Sequence, residues 1–346
     1  MSWISNVMLP PLSALYRAVT QTRLAAYNRG LLPVTKLAAP VISIGNLTTG
    51  GTGKTPLVEW VCRTLARKQR KVCILTRGYG RPNPGSRVIV SDGSTVLTKA
   101  AEAGDEPFLL AQNLKGLAAV ISDPNRSAAG KWAIDNLGAE VFVLDDGFQH
   151  LALARDLDIL TIDATNPWGG GKLLPAGRLR EPRSGLSRAD CVVVTRADQS
   201  DELVSLKAEI QRLIGSRPVV RSEMTVKGIS RMNSERPEEL VSLSQPAAAF
   251  CAVGNPESFF ELLRRTGIDP VFTRTLPDHH QYTQADVDSL MQESKKAGAQ
   301  SIITTAKDAV KLQQRKFELP CCVLNIEISI EEEDKIIQMV DAAAAA

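Results

Sequence analysis

A glycine-rich stretch near residue 50 restricts the possible folds of this chain more than any other feature. An apolar, strand-like run at residues 41–45 precedes the sequence Gly50, Gly51, Thr52, Gly53, Lys54, Thr55, and a helical pattern follows at residues 56–68. A glycine turn between a strand and a helix points backbone N–H groups into a concave nest, to which the helix adds its positive end. We therefore predict that this loop binds a nucleoside triphosphate, with Lys54 at the β- and γ-phosphates and the Thr55 hydroxyl on Mg²⁺.

The loop departs from the strict P-loop pattern at one position. That pattern has a further glycine five residues before Gly53, and Thr48 stands there instead. An ordinary glycine-rich turn is the alternative interpretation. It does not account for Lys54 and Thr55 directly after the last glycine, whereas a phosphate-binding loop does.

Apolar segments of strand length alternate with helical patterns through the first part of the chain. Near-continuous apolar strands separated by helices, such as residues 126–137, indicate a parallel sheet covered on both faces. Two short segments, 87–90 and 95–98, flank a turn-forming sequence and predict a hairpin. The sequence therefore predicts an α/β fold of the P-loop NTPase type, with a mostly parallel sheet flanked by helices. The predicted strands are residues 41–45, 71–76, 117–122, 140–144, 157–162 and 190–195.

The length of 346 residues allows about two domains. We predict an N-terminal helical region at 1–35, a P-loop domain at 36–222 and a smaller α/β domain at 223–341. The smaller domain begins with a polar linker at 223–246, and the closing residues 342–346 are predicted to lie outside the fold. The 41 basic and 38 acidic residues do not demand a nucleic-acid partner, and the six cysteines lack a Cys-x-x-Cys pair, as expected for reduced thiols in a cytosolic protein.

The N-terminal region predicts an amphipathic helix. Leu12, Leu15, Tyr16 and Val19 recur at helical spacing, with arginines among them. Pro11 suits its first turn and a glycine at position 30 suits its C-terminal cap. No stretch is long and apolar enough to span a bilayer. The helix either lies in a membrane interface or packs on the sheet of its own domain.

A pair of acidic residues follows the fourth strand of the core series, in the sequence VFVLDDGFQH. A carboxylate at the end of such a strand holds Mg²⁺ or its water in P-loop enzymes. Because two carboxylates occur together downstream of a phosphate loop, we predict a metal-supporting role; a loop or helix cap is the alternative for Asp145. The candidate side chains of this segment are Asp145, Asp146, Gln149 and His150.

Three further segments are rich in reactive or charged side chains. One follows the second strand, one begins a helix, where acidic residues are also ordinary caps, and one follows a cluster of glycines. The arginines of the last segment suit a second phosphate or the phosphate that is transferred. These candidates are Arg77 and Tyr79, Asp105 and Glu106, and Arg178, Arg180 and Glu181.

The second half of the chain contains two histidines in the sequence LPDHHQY. If His279 points across a cleft between domains, it would pair with a carboxylate and tune its pKa. No histidine and cysteine cluster has the spacing of a zinc site.

Seven motifs occur in one order along nearly the whole chain: GNLTTGGTGKTP, TRGYG, GDEP, DDGFQH, LLPAGRLREP, PDHHQY and TAKDAVKL. Together they closely resemble the tetraacyldisaccharide 4′-kinase family of bacterial lipid A biosynthesis, which also lacks the first P-loop glycine. The resemblance implies transfer of the γ-phosphoryl group of ATP to the 4′-hydroxyl of a tetraacyldisaccharide 1-phosphate. It also implies a P-loop kinase domain, a smaller C-terminal domain joined by a β linker, and peripheral attachment to the cytoplasmic face of the inner membrane. That attachment favours the interfacial interpretation of the N-terminal helix.

The resemblance also implies roles for individual residues. Lys54 and the loop amides would hold the phosphates, with Thr55, Asp145 and Asp146 at Mg²⁺. Asp105 would be the base for the sugar hydroxyl, with His279 rather than His280 as its partner. Near the transferred phosphate and the metal, the matching pair is Arg180 and Glu181. A monomer that binds lipid and a membrane surface, and no nucleic acid, is expected.

Two other classes of P-loop protein are alternatives. In a GTPase switch, the sequence VVVTRAD would be the guanine-reading Asn-Lys-x-Asp motif, but Thr195 and Arg196 stand where Asn and Lys are required. A partition-type ATPase has a signature lysine before its glycines, where this chain has Thr49. An inactive lipid-binding protein is a third possibility, which the intact Lys54 and Thr55 argue against.

Overall fold

A computed structural model describes residues 3–232 and 243–345 of the chain. Its twelve described strands are β1 Val41–Asn46, β2 Val72–Thr76, β3 Val88–Asp92, β4 Ala118–Ser122, β5 Val141–Asp145, β6 Leu157–Asp163, β7 Cys191–Thr195, β8 Val219–Arg231, β9 Ala247–Cys251, β10 Phe272–Thr275, β11 Ser301–Thr305 and β12 Cys321–Ile330. They form one sheet in the order β10-β9-β11-β12-β8-β7-β6-β1-β5-β2-β4-β3. The helices are α1 Trp3–Asn28, α2 Lys54–Arg67, α3 Ala100–Ala103, α4 Asp105–Asn113, α5 Arg126–Leu137, α6 Leu203–Ile214, α7 Pro256–Arg265, α8 Gln284–Lys296, α9 Ala306–Leu312 and α10 Glu333–Ala344.

The predicted α/β fold with a mostly parallel sheet is confirmed. The six predicted strands are β1, β2, β4, β5, β6 and β7, and every residue in them is buried. Apart from the antiparallel pairs β3–β4 and β8–β12, neighbouring strands of this sheet run parallel. Sandwiched between helices, such strands need apolar side chains on both faces, as the sequence pattern indicated.

The predicted hairpin at 87–90 and 95–98 is only partly formed. Its first arm is β3, which pairs with β4 at the edge of the sheet. The second arm contributes one isolated bridge, between Ser91 and Val96. Val90 is fully buried whereas Leu97 is 52% exposed, so the first arm gains far more from the sheet than the second.

Strand β8 connects the two halves of the chain within the sheet. Its first residues pair in parallel with β7, and the rest pairs antiparallel with β12, with a register shift between Asn325 and Ile326. The predicted division at 222/223 therefore falls inside a strand, and residues 223–231 of the predicted linker belong to the sheet. Residues 233–242 of that linker lie outside the described residues.

Helix α10 returns from the second half to the first. Lys68, directly after α2, forms an ion pair with Asp341, and Arg70 donates a hydrogen bond of 2.9 Å to the carbonyl of Ala344. Ala343 and Ala344 are buried. The alanine run at 342–346 was predicted to lie outside the fold, but residues 342–344 belong to α10, because small side chains allow the helix to pack closely.

Helix α1 begins before the predicted first turn. It runs through Pro10 and Pro11, each of which removes one backbone hydrogen bond without ending the helix. It ends at Asn28, and Gly30, the predicted C-terminal cap, follows two residues later with φ +68°. One face contacts the loop before β7, since the Tyr16 hydroxyl donates to the carbonyl of Arg180 at 3.0 Å. Beside Tyr16, the helix leaves three apolar side chains about half exposed, namely Leu12, Leu15 and Val19.

None of the helices in the described ranges is long and apolar enough to cross a membrane.

Candidate active site

The glycine-rich loop between β1 and α2 is held in place from neighbouring strands. Gly50 and Gly53 have φ of +113° and +78°, which favour glycine. The Thr52 hydroxyl lies 2.9 Å from both Asn46 Nδ2 and the hydroxyl of Thr161 on β6. Its carbonyl accepts a hydrogen bond of 2.9 Å from the hydroxyl of Thr195 at the end of β7. The loop is therefore preorganised, and Lys54 begins α2 immediately after it.

Lys54 and Arg180 converge on Asp146. The Lys54 ammonium lies 3.6 Å from Oδ1 of Asp146, and Arg180 Nη1 donates to both carboxylate oxygens at 2.7 and 2.6 Å. Asp146 has φ +52°, an unusual backbone conformation for a residue other than glycine. Burial opposes its ionisation, but Lys54 and Arg180 lower the pKa of Asp146 to about 2. Asp146 therefore carries a negative charge at neutral pH.

Asp145 lies in a different environment from its neighbour. Burial, together with the negative charges of Glu106 and Asp146, raises the pKa of Asp145 to about 6. Its carboxylate accepts a hydrogen bond of 3.0 Å from the Thr76 hydroxyl at the end of β2. Arg126 fixes the turn by donating to the backbone carbonyls of both aspartates, at 2.8 and 3.2 Å.

Arg126 is a residue of the site that was not predicted from the sequence. It is 4% exposed and begins α5. Its position shortly after the predicted strand at 117–122 could have identified it as a site residue, because ligands of such sheets lie beyond the carboxyl ends of the strands.

Gln149 joins three parts of the site. Its side-chain amide donates to the Asn46 carbonyl and to Glu181 Oε1, both at 2.9 Å, and accepts from Arg180 at 3.3 Å. Glu181 is 7% exposed and pairs with Arg188 through both oxygens, at 2.7 and 3.0 Å. The structure thus places Glu181 behind Arg180, and its predicted metal role stays a prediction.

Two other predicted residues, His150 and Arg178, differ in burial. Burial and several nearby arginines, of which Arg126 has the largest influence, lower the pKa of His150 to about 4, so its ring is neutral at pH 7. Arg178 has an exposed side chain, while its backbone carbonyl accepts from the Thr49 amide at 2.8 Å. This bond ties the arginine-rich segment to the phosphate loop.

A single cleft of about 2510 Å³ reaches from the phosphate loop to helix α1. Arg77 and Tyr79 line it, with the guanidinium 5.3 Å from the centre of the Tyr79 ring. Tyr16 and Arg23 of α1 line the same cleft. A molecule bound near Lys54 therefore has continuous access to the N-terminal helix.

The predicted acidic base and its histidine come from the two halves of the chain. Asp105 begins α4, and burial raises its pKa although Lys311 and His279 act in the other direction. His279 has φ +63°, and its Nε2 lies 4.0 Å from Oδ2 of Asp278. Asp105 and His279, both described, share no hydrogen bond in this structure, so their direct pairing stays a prediction. His280 instead lies 3.2 Å from Asp286, and the choice of His279 over His280 stays a prediction.

Lys307 bridges the same two segments and was not singled out in the sequence. Its ammonium lies 3.0 Å from Glu106 and 3.4 Å from Asp278. Lys307 lies in the motif TAKDAVKL, which contributes to the family resemblance. A lysine near the start of a helix, however, does not indicate partners elsewhere in the chain.

The segment compared with a guanine-reading motif has another use here. Thr195 holds the carbonyl of Thr52, and Arg196 donates to the Gly51 carbonyl at 2.9 Å and to Asp163 at 2.5 Å. These side chains support the phosphate loop, which argues against a GTPase switch.

Comparisons with known proteins identify the family of the chain. The model of the LpxK family, described as tetraacyldisaccharide-1-P 4′-kinase, matches residues 5–345. The tetraacyldisaccharide 4′-kinase of Anaeromyxobacter sp. (strain Fw109-5) is 41% identical, covering 98% of this chain and 92% of that protein. The enzyme of that name from Geobacter metallireducens is 44% identical, covering 88% of each. The crystal structure of LpxK from Aquifex aeolicus in complex with ATP is 32% identical, with a TM-score of 0.75 over 96% of this chain and 98% of that one. The chain therefore belongs to the tetraacyldisaccharide-1-P 4′-kinase family.

Proposed function

We propose that this enzyme transfers the γ-phosphoryl group of ATP to the 4′-hydroxyl of a tetraacyldisaccharide 1-phosphate. The product is the 4′-phosphorylated lipid A precursor. The observation that carries the proposal is the single cleft, in which the phosphate loop and Lys54 share a lining with Glu106, His279 and the N-terminal helix. The names of its relatives and the ATP complex of the Aquifex aeolicus protein support both substrates.

Phosphoryl transfer depends mainly on positioning and on charge neutralisation. Lys54 and the N–H groups of residues 50–55 bind the triphosphate, and Arg180 neutralises charge on the transferred group. Asp105 accepts the proton of the 4′-hydroxyl as that oxygen bonds to the γ-phosphorus, while the bond from phosphorus to the leaving ADP oxygen breaks. His279 orients Asp105 and stabilises the resulting charge.

The residues beside the phosphate loop fit a Mg²⁺ ion. In the described part of the chain, no three histidine, cysteine or acidic side chains are arranged to hold a metal by themselves. Mg²⁺ is usually held by one or two carboxylates together with substrate phosphates, so two buried aspartates suffice. Thr55, Asp145 and Asp146 would hold it, with Glu181 behind them. The ion would neutralise phosphate charge during transfer.

The location of the enzyme is part of this proposal. Leu15 is 62% exposed and Val19 58% exposed on α1, beside Arg23 in the cleft. An apolar face flanked by arginines suits the interface of an anionic membrane. We propose peripheral attachment of a monomer to the cytoplasmic face of the inner membrane, where an acylated acceptor reaches the cleft directly.

The decisive experiment follows labelled γ-phosphate from ATP. The purified enzyme is incubated with Mg²⁺ and tetraacyldisaccharide 1-phosphate in detergent micelles, beside a control without lipid. Label should enter the lipid and depend on Lys54. Release of free phosphate at equal rates with and without lipid would contradict the proposal and favour a switch or partition-type ATPase.

The role of Asp105 gives a sharper test. Asp105→Ala should lose lipid phosphorylation yet keep ATP affinity, because Asp105 lies apart from the phosphate loop. General-base catalysis contributes about 10²–10⁴-fold, so kcat should fall by that order. Equilibrium binding of a fluorescent ATP analogue serves as the control. Unchanged turnover would remove Asp105 from the mechanism.

A further inference from the structure

Helix α9 supplies a cation to both sides of the cleft. Lys307 lies 3.0 Å from Oε1 of Glu106 and 3.4 Å from Oδ1 of Asp278. Glu106 directly follows Asp105, and Asp278 directly precedes His279. One ammonium group therefore holds the neighbours of both members of the proposed pair.

The partners of Lys307 come from distant parts of the chain. Glu106 is separated from it by 201 residues, whereas Asp278 is separated by 29. The Lys307 side chain is 18% exposed, and those of Glu106 and Asp278 are 35% and 33% exposed. Because the two ion pairs are partly buried, salt screens them less than it would screen ion pairs on an open surface. The stronger attraction favours one fixed geometry.

The base of α9 is itself fixed by the next residue. Asp308 is fully buried and accepts hydrogen bonds of 3.1 Å from both the Ala252 amide and the Tyr282 hydroxyl. It also lies 3.1 Å from the buried ammonium of Lys311. Tyr282 belongs to the same segment as His279, so that segment is anchored to α9. Lys307 extends from a rigid support, which a positioning group requires.

We infer that Lys307 is a positioning residue for phosphoryl transfer: it aligns Asp105 with His279 by holding Glu106 and Asp278. This inference rests on the proposed function. Lys307 acts through these neighbours and not on the reacting atoms. The alignment matters because a displacement of 1 Å at a reacting group costs about 10²-fold in rate.

The test begins with Lys307→Met, which keeps an unbranched side chain only one atom shorter and removes its charge. We expect kcat for lipid phosphorylation to fall about 10²-fold, with the KM for ATP unchanged. Lys307→Arg should restore most of the rate, because a guanidinium can still span two carboxylates. Lys295→Met, on the exposed face of α8, is the matched control and should behave as the wild type. Equal kcat for Lys307→Met and the wild type would overturn the inference.

A double-mutant cycle tests the mechanism behind that loss. Residues that act as a unit give non-additive effects. His279→Ala should therefore slow the wild type strongly and the Lys307→Met variant hardly at all. If the effects of His279→Ala and Lys307→Met on kcat multiply in the double variant, the inference is overturned, while the proposed function stays intact. Absence of lipid phosphorylation by the wild type would overturn both.

A second variant covers the case in which Lys307→Met fails to fold. Glu106→Gln removes one end of the bridge from the opposite side of the cleft, and the same cycle with His279→Ala applies. Non-additivity there supports the bridge, and multiplying effects overturn it.

Discussion

Gly45 provides the most direct test of how the fold places the acidic pair. It lies in β1, five residues before the glycines of the phosphate loop. A Cβ atom at Gly45 would come within 2.5 Å of Phe148 Cβ and 2.7 Å of its backbone nitrogen. In Gly45→Ala these atoms must separate by about 1 Å to reach the ordinary contact distance of 3.4 Å. Backbone lies on both sides of the contact, so no flexible side chain absorbs the change.

Two effects of Gly45→Ala follow from that displacement. Overpacking a close-packed interior costs about 1–3 kcal/mol of the free energy of unfolding. Phe148 lies two residues after Asp146, so the displacement also reaches the carboxylate that faces Lys54. A shift of 1 Å there should lower kcat about 10²-fold. The first effect is measured by urea unfolding, and the second by the initial rate of lipid phosphorylation.

Gly85→Ala is the matched control for this substitution. Gly85 has open space where a Cβ would stand, and its φ is not positive. The free energy of unfolding and the kcat of this control should both match those of the wild type. If Gly45→Ala also unfolds and turns over like the wild type, close contact between β1 and Phe148 does not set the position of Asp146.

Two further predictions concern buried charges. Burial and neighbouring arginines lower the pKa of His150 from 6.5 to about 4. As the pH falls, the unfolded chain therefore binds a proton at His150 near pH 6.5, whereas the folded chain binds it only near pH 4. The free energy of unfolding should therefore fall between pH 6.5 and 4, and His150→Gln should flatten this slope in urea titrations; an unchanged slope would contradict the assignment. Lys311→Met leaves Asp308 buried without its cation and should cost about 3–5 kcal/mol. The exposed Lys295→Met should cost less than about 1 kcal/mol, and equal losses would refute the role of burial.

The core of the fold could be predicted because its signals are local. The apolar strands, the glycines with positive φ and the lysine after them each reflect contacts within a few residues. The ends of the strands then indicated where Asp145 and Arg77 would lie, because parallel strands bring their carboxyl ends to one edge.

Long-range pairings left no comparable signal. Strand β8, which joins the two halves of the sheet, carries several polar residues. This polar sequence led to the prediction of a linker. Its partner β12 lies about a hundred residues further along the chain, beyond the reach of any periodicity. Lys307 has the same difficulty: Thr305 and Asp308 around it form an ordinary helix cap, and only the fold shows Glu106 as its partner.

The continuous sheet changes how the two halves of the enzyme relate. Strand β8 pairs with both β7 and β12, and α10 returns to the end of α2, where Asp341 forms an ion pair with the capping residue Lys68. On the cleft side, a Cβ at Gly254 would stand 2.6 Å from the Gly51 amide, so the second half touches the phosphate loop itself. Displacement of one half against the other must therefore deform the sheet, except where the ladder of β8 and β12 shifts register. Because the cleft is built on one sheet, both of its walls have a common support, and this is the condition under which one ammonium on α9 can align groups from both.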